Sequence, residues 1–208
     1  NYFFHAGRLN IAGLKMSKSL KNFITIRQLL AYATARQIRL LFLLQKWDST
    51  MNFDDEGLRA ANSLEKTLKS FFQNIEVLER KFGDNTPKDV AFVNQYWSPD
   101  DRLLQAALEK MQQNALLALS DNFDTPRVLL ELQELISATN KYLAKYETDQ
   151  NNFIPKLLLI RRVSAEVNKF MRIFGVVGDN YAHFMDVYRD QNAQNASNSD
   201  ASESAYVT

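Results

Sequence analysis

The chain has 208 residues, no cysteine, twenty-five Lys/Arg and twenty-four Asp/Glu. That length supplies one or two packed cores. The cysteine count excludes disulfides and thiolate metal sites from it, and no apolar run approaches the ~18 residues of a membrane span. The near balance of charge hides an asymmetry. Residues 1–47 hold eight Lys/Arg and no acid, whereas the remainder holds seventeen Lys/Arg against twenty-four acids. A uniformly basic leading segment predicts an anionic partner, ATP or RNA.

In chain order, residues 2–12 read as a short hairpin. Tyr2–His5 and Arg8–Ile11 are strand-like, joined by Ala6-Gly7, and Gly13 ends the second strand. A cationic loop follows, Lys15-Met16-Ser17-Lys18-Ser19. Two lysines and two serines in five residues, with no carboxylate nearby, suit the oxygens of a polyphosphate. Thr25-Ile26-Arg27-Gln28 and Thr34-Ala35-Arg36-Gln37 both fit the capping box, which predicts helices over 26–32 and 35–46. On the second, Arg36, Arg39 and Lys46 fall within about 80° of one another.

Beyond Asp54 the pattern is helical. Asp54, Asp55 and Glu56 favour a helix start through the macrodipole, and Leu64, Leu68, Phe71, Ile75, Leu78 and Phe82 form its stripe. Gly83-Asp84-Asn85-Thr86-Pro87 breaks that helix, and in the long 83–97 connection Val90 to Trp97 are expected to dock as an extra turn or a flap. Ser98-Pro99 starts the next helix, Thr125-Pro126 a third, and a fourth carries Ile160, Val163, Val167, Phe170 and Phe174 up to Gly175. Four such stripes predict an antiparallel bundle. Residues 179–208 are expected to be a disordered tail, most plainly where Gln191 to Asp200 turns polar and low in complexity. His183 lies outside every motif and is given no role.

The pentapeptide at 15–19 resembles the KMSKS signature of class I aminoacyl-tRNA synthetases, and its flanks resemble one family in particular. His5-Ala6-Gly7-Arg8-Leu9-Asn10-Ile11-Ala12-Gly13 and Ser19-Leu20-Lys21-Asn22-Phe23-Ile24-Thr25-Ile26 are similar to the H-x-G-x-L-x-I-x-G lead-in and S-L-x-N-F-x-T-I continuation of cysteinyl-tRNA synthetases. Ala35-Arg36-Gln37-Ile38-Arg39-Leu40 resembles the opening of a DALR-type domain, with Thr34 in place of the acid and Ile38 in place of Leu. Asp121-Asn122-Phe123-Asp124-Thr125-Pro126 resembles the family's D-D-F-N-T-P turn. Lys21 and the Gln45-Lys46-Trp47 segment resemble the eukaryotic cytosolic branch.

The resemblance implies a mainly α fold. Residues 1–50 would be the end of a Rossmann-type catalytic domain, with a short β-hairpin, the KMSKS loop and connecting helices. Residues 51–178 would be a DALR-type antiparallel helical bundle on the tRNA side. It implies part of a cytoplasmic cysteine–tRNA ligase, which activates cysteine with ATP and transfers it to tRNA(Cys). The HIGH motif and zinc ligands of such an enzyme would lie upstream of His5. This chain would then hold no metal site and be inactive alone. Lys15 and Lys18 would be catalytic, and Lys15, Met16, Ser17, Lys18 and Ser19 would contact ATP. Lys21, Arg27, Arg36, Arg39 and Lys46 would meet tRNA phosphates. Trp47 would stack on a base or, as the favoured reading, pack between two domains. Other readings of the same residues are a non-catalytic helical RNA- or protein-binding module, a methionyl or arginyl synthetase, and a cysteine ligase acting on a sugar amine.

Overall fold

The computed structural model describes residues 3–83, 97–148, 155–178, 181–186 and 188–190. Strands β1 (Leu9–Ile11) and β2 (Leu14–Lys15) pair antiparallel, with Ile11 opposite Leu14. The hairpin turn is therefore Ala12-Gly13, not the predicted Ala6-Gly7. Ala12 and Gly13 both take positive φ, 49° and 78°. Two consecutive left-handed residues make the turn whose twist matches the strands it joins. Gly7 has a different use. Its N–H donates to the Trp47 carbonyl at 2.8 Å, and a Cβ there would fall 1.7 Å from the Ser49 carbonyl oxygen. Glycine is needed at this position for close approach.

A third strand, β3 (Met51–Phe53), pairs parallel with β1, giving the order β2-β1-β3. A three-residue strand is too short to show alternation, so the sequence reading missed it. Its pairing also moves the expected boundary at residue 50, because Met51–Phe53 complete the sheet of the leading segment.

Between β1 and β3 lie α1 (Ile26–Leu29) and α2 (Ala35–Leu43). Both predicted capping boxes are formed. The Gln28 N–H donates to Thr25 Oγ1 at 3.1 Å and the Thr25 N–H to Gln28 Oε1 at 2.9 Å; Thr34 and Gln37 repeat the pattern. Both helices end earlier than predicted. After α2 the Gln45 N–H turns to the Phe42 carbonyl at 3.1 Å, a tighter closing turn. Lys46 therefore leaves the helix and does not share a helical face with Arg36 and Arg39.

Among the described residues four long helices follow: α3 (Asp55–Gly83), α4 (Pro99–Ser120), α5 (Thr125–Thr148) and α6 (Leu157–Ile173). Asp54 Oδ1 caps α3 by accepting from the Gly57 N–H at 2.8 Å, and Ser98 forms a capping box with Asp101 at the start of α4. For α5 the cap is Asp124, which accepts from the Arg127 N–H at 3.2 Å. The Thr125 hydroxyl donates instead to the Leu43 carbonyl at 2.9 Å. Gly175, at φ 63°, ends α6. The Gly175 N–H reaches the Arg172 carbonyl at 2.9 Å and the Val176 N–H the Met171 carbonyl at 2.8 Å, a Schellman closure.

Lys110 pairs with Glu134, and Lys145 with Asp100, so α4 and α5 run antiparallel. Leu68 and Phe71, Leu108 and Met111, Leu132 and Ile136, and Val163 and Val167 meet in one core with Leu40 and Leu41 of α2. Each contributes roughly 1.5–3 kcal/mol by leaving water. The sequence reading missed Phe72, which is also buried.

The tail does not begin at 179 as expected. Phe184 is fully buried and stacks on Phe72 at 5.3 Å; its N–H donates to Asn168 Oδ1 at 2.9 Å. The Tyr188 hydroxyl donates to Glu65 Oε1 at 2.8 Å. These apolar and hydrogen-bonding groups give the segment enough contact to dock. The interior of the predicted flap (84–96) and the tail from 191 lie outside the described residues.

Candidate functional site

The cationic loop starts at the end of β2. The Met16 N–H donates to the Leu9 carbonyl at 3.3 Å, which extends the hairpin into the loop. Asn22 then closes it. Its Oδ1 accepts from the Ser17 N–H at 2.9 Å, and its Nδ2 donates to the Lys15 carbonyl at 3.1 Å. Ser17 Oγ accepts from the Leu20 N–H at 3.2 Å and lies 3.1 Å from Ser19 Oγ. A turn bonds the Lys21 N–H to the Lys18 carbonyl at 3.2 Å, with Lys21 at φ 53°. The loop backbone is thus held by its own short polar side chains. Ser17 and Asn22 serve the backbone, which leaves the lysine side chains outside.

Lys15, Lys18, Ser19 and Lys21 are exposed; Met16 and Ser17 are half-buried. Among the described residues, Lys15, Lys18 and Lys21 make no ion pair. Three unpaired cations within seven residues create a local positive field that attracts anions. Asn22 is a functional residue that the sequence motif alone does not single out. Its signal was a short amide, able to donate and accept, in a loop otherwise made of lysine and serine.

The other sequence candidates separate. Arg27 is exposed on α1. Arg36 is not available to a partner in this geometry, contrary to its proposed phosphate contact. Its side chain is only 10% exposed, with Nη1 3.4 Å from Glu65 Oε1. Its guanidinium lies over the Tyr188 ring at 4.6 Å and the Phe184 ring at 5.1 Å. Arg39 is exposed, with a long 3.4 Å hydrogen bond to the Phe174 carbonyl.

Lys46 and Trp47 engage the turn between α4 and α5. Lys46 Nζ lies 3.3 Å from Asp124 Oδ2, and Trp47 Nε1 donates to the Asn122 carbonyl at 2.8 Å. The Phe4 and Trp47 rings meet edge to face with centroids 5.8 Å apart, and Asn122 Nδ2 donates to Asp48 Oδ2 at 2.7 Å. Asn122 and Phe123 hold φ of 56° and 53° to make this turn. Trp47 therefore joins the leading segment to the bundle. Among the described residues no three of His, Cys, Asp and Glu converge on a metal-sized site.

Residues 1–63 match the family model of the tRNA synthetases class I (C) catalytic domain. The cytoplasmic cysteine–tRNA ligase of Gallus gallus is 37% identical over 176 residues, which cover 85% of this chain and 23% of that protein. That of Dictyostelium discoideum is 35% identical over 185 residues, 89% of this chain and 27% of that protein. The human enzyme is 35% identical over 176 residues, 85% of this chain and 23% of that protein. The chain is a relative of the cytoplasmic cysteine–tRNA ligases. It spans about a quarter of the length of these relatives. Among solved structures, the LeuRS of Agrobacterium radiobacter K84, in its ternary complex with tRNA and LeuAMS, superposes with a TM-score of 0.63 at 15% identity. That match covers 82% of this chain and 20% of the LeuRS chain, and it shows a shared mainly helical fold.

Proposed function

We propose that this chain is the part of a cytoplasmic cysteine–tRNA ligase that brings lysines to the phosphates of ATP and a basic, helical surface to tRNA. The observation that carries this reading is the closed loop at 15–22, whose backbone is bonded to Ser17 and Asn22 while Lys15, Lys18 and Lys21 stay exposed. The relatives named above support cysteine as the amino acid. In the activation step the cysteine carboxylate attacks the α-phosphorus of ATP, the bond to the β-phosphate oxygen breaks, and pyrophosphate leaves. Negative charge grows on the leaving oxygens. Lys18 meets that charge, Lys15 assists, and Met16, Ser17 and Ser19 position the nucleotide. Lys21, Arg27, Arg39 and Lys46 are the proposed tRNA phosphate contacts, while Arg36 braces the bundle and Trp47 joins it to the leading segment. Among the described residues no helix is long and apolar enough to cross a membrane.

The test is Lys18→Ala in the complete enzyme. Loss of a group that acts on charge developing in the transition state costs ~3 kcal/mol, on the order of a hundredfold in rate. Pre-steady-state adenylate formation is expected to slow by that factor with cysteine KM little changed. An unchanged rate with a raised cysteine KM would overturn the assignment.

A further inference from the structure

Asn52 lies on β3, in register with Asn10 of β1. Its Oδ1 accepts from the Gly13 N–H at 2.7 Å, and Gly13 sits in the hairpin turn two residues before Lys15. Its Nδ2 donates to Asp54 Oδ2 at 2.9 Å. The other oxygen of Asp54 accepts from the Gly57 N–H at 2.8 Å and caps α3. One side-chain amide therefore ties the turn that launches the lysine loop to the first turn of a 29-residue helix. The job requires an acceptor and a donor on one short side chain. Aspartate offers only the acceptor, and an aliphatic residue offers neither.

We propose that Asn52 is a positioning residue for the phosphate-stabilising lysines, an inference that rests on the reading of the loop given above. Asn52 touches no substrate. It sets the hairpin against α3, and Asn22 then fixes the Lys15 carbonyl relative to that hairpin. The backbone on either side of Lys15 is thereby referred to the bundle. Without the Asn52 amide the hairpin turn keeps its strand pairing and the long 3.4 Å bond from the Ala12 N–H to the Phe53 carbonyl but loses its link to the α3 cap, and the lysines sample positions away from the phosphates. A misplacement of this kind lowers the rate of the chemical step and leaves ground-state binding of cysteine intact.

The experiment measures adenylate formation and thermal midpoint in the complete enzyme for Asn52→Ala, Asn52→Asp and Asp54→Ser, each alone and combined with Lys18→Ala. Asn52→Asp keeps the acceptor toward Gly13 and sets a second carboxylate beside Asp54. Asp54→Ser keeps a helix cap and weakens the link to Asn52. Each single variant is expected to slow adenylate formation about fivefold to tenfold, the effect of one lost hydrogen bond, at unchanged cysteine KM. In the Lys18→Ala background most of that loss should disappear, because the amide acts through the lysine loop. Losses that multiply independently of Lys18, or variants that fold and keep full rate, would overturn the proposal. Asp54→Ser supplies the decision if the Asn52 variants misfold. If Lys18→Ala itself leaves the rate unchanged, the functional reading of the loop fails and this inference falls with it. If Lys18→Ala slows the reaction and the Asn52 and Asp54 variants do not, only this inference fails.

Discussion

At the scale of single residues, the basic side chains of the leading segment differ in what they already hold. Lys15, Lys18 and Lys21 are free of ion pairs among the described residues, whereas Arg36 sits between Glu65 and the rings of Tyr188 and Phe184. Arg36 and Arg39, read from sequence as equivalent, should therefore separate in experiment. Arg36→Lys loses the planar stacking surface and is expected to cost about 1–2 kcal/mol of stability, seen as a lower thermal midpoint, with the salt dependence of tRNA binding unchanged. Arg39→Glu is expected to leave the midpoint alone and to flatten the negative slope of log K against log salt by about 1. A filter-binding titration across a salt series, run beside thermal melts, checks both. The misreading of Arg36 has a plain cause. Its partners lie far along the chain, and local spacing cannot distinguish a solvated cation from one that a distant acid and two aromatic rings enclose.

Among the elements, the clearest in sequence were those specified within one turn. The boxes at Thr25 and Thr34 need only a hydroxyl and an amide three residues apart, and both form as predicted. The bundle stripes were equally legible, since an apolar residue every three or four positions fixes the buried face without knowledge of its partner. The segment 181–190 was not legible, because its few apolar residues become a docking motif only against Phe72 and Asn168. His183 gains a setting there. It meets Phe72 edge-on at 4.7 Å, and its Nδ1 accepts from the Met185 N–H at 3.2 Å. Burial lowers its pKa; Asp186, Glu76 and Glu79 oppose that shift and Arg189 adds to it. The folded form thus resists a proton that the unfolded chain accepts near the ordinary histidine value of 6.5. Stability from this group is present above that pH and is lost as pH falls through the lowered value. The thermal midpoint should drop on acidification from about pH 7 to 5, and His183→Asn, which keeps an acceptor for Met185, should flatten that dependence. An equal drop in the variant would assign the effect to other groups.

For the molecule as a whole, the docked segment makes a direct contribution. Phe184 and Met185 are buried in the core cluster, and Tyr188 and Arg189 bond to Glu65 and Glu76 of α3. A chain ending at Gly178 loses all of these relative to one ending at Asp190. At roughly 1.5–3 kcal/mol per buried apolar side chain, and about 2–4 °C per kcal/mol at this size, its midpoint is expected to fall by about 10 °C. Calorimetry on the two truncations measures this, and equal midpoints would show that the segment adds nothing. The charge asymmetry was visible at this scale from the start, and so was the lysine loop. The amides that hold the loop were not. Asn52 reaches a backbone N–H thirty-nine positions away, and a partner at that distance exists only once the chain has folded.

The parallel pairing of β1 with β3 also has a bearing on the order of synthesis. β2 can close on β1 as soon as both have emerged, because the turn between them is two residues long. β3, Asn52 and the cap of α3 arrive only after α1 and α2 have been made. Contacts of large sequence separation form late because the intervening chain must first give up its freedom. During translation the lysine loop would pass through a stage in which its hairpin exists without its anchor. On this view, competence to hold phosphate matures with the bundle rather than with the loop's own residues.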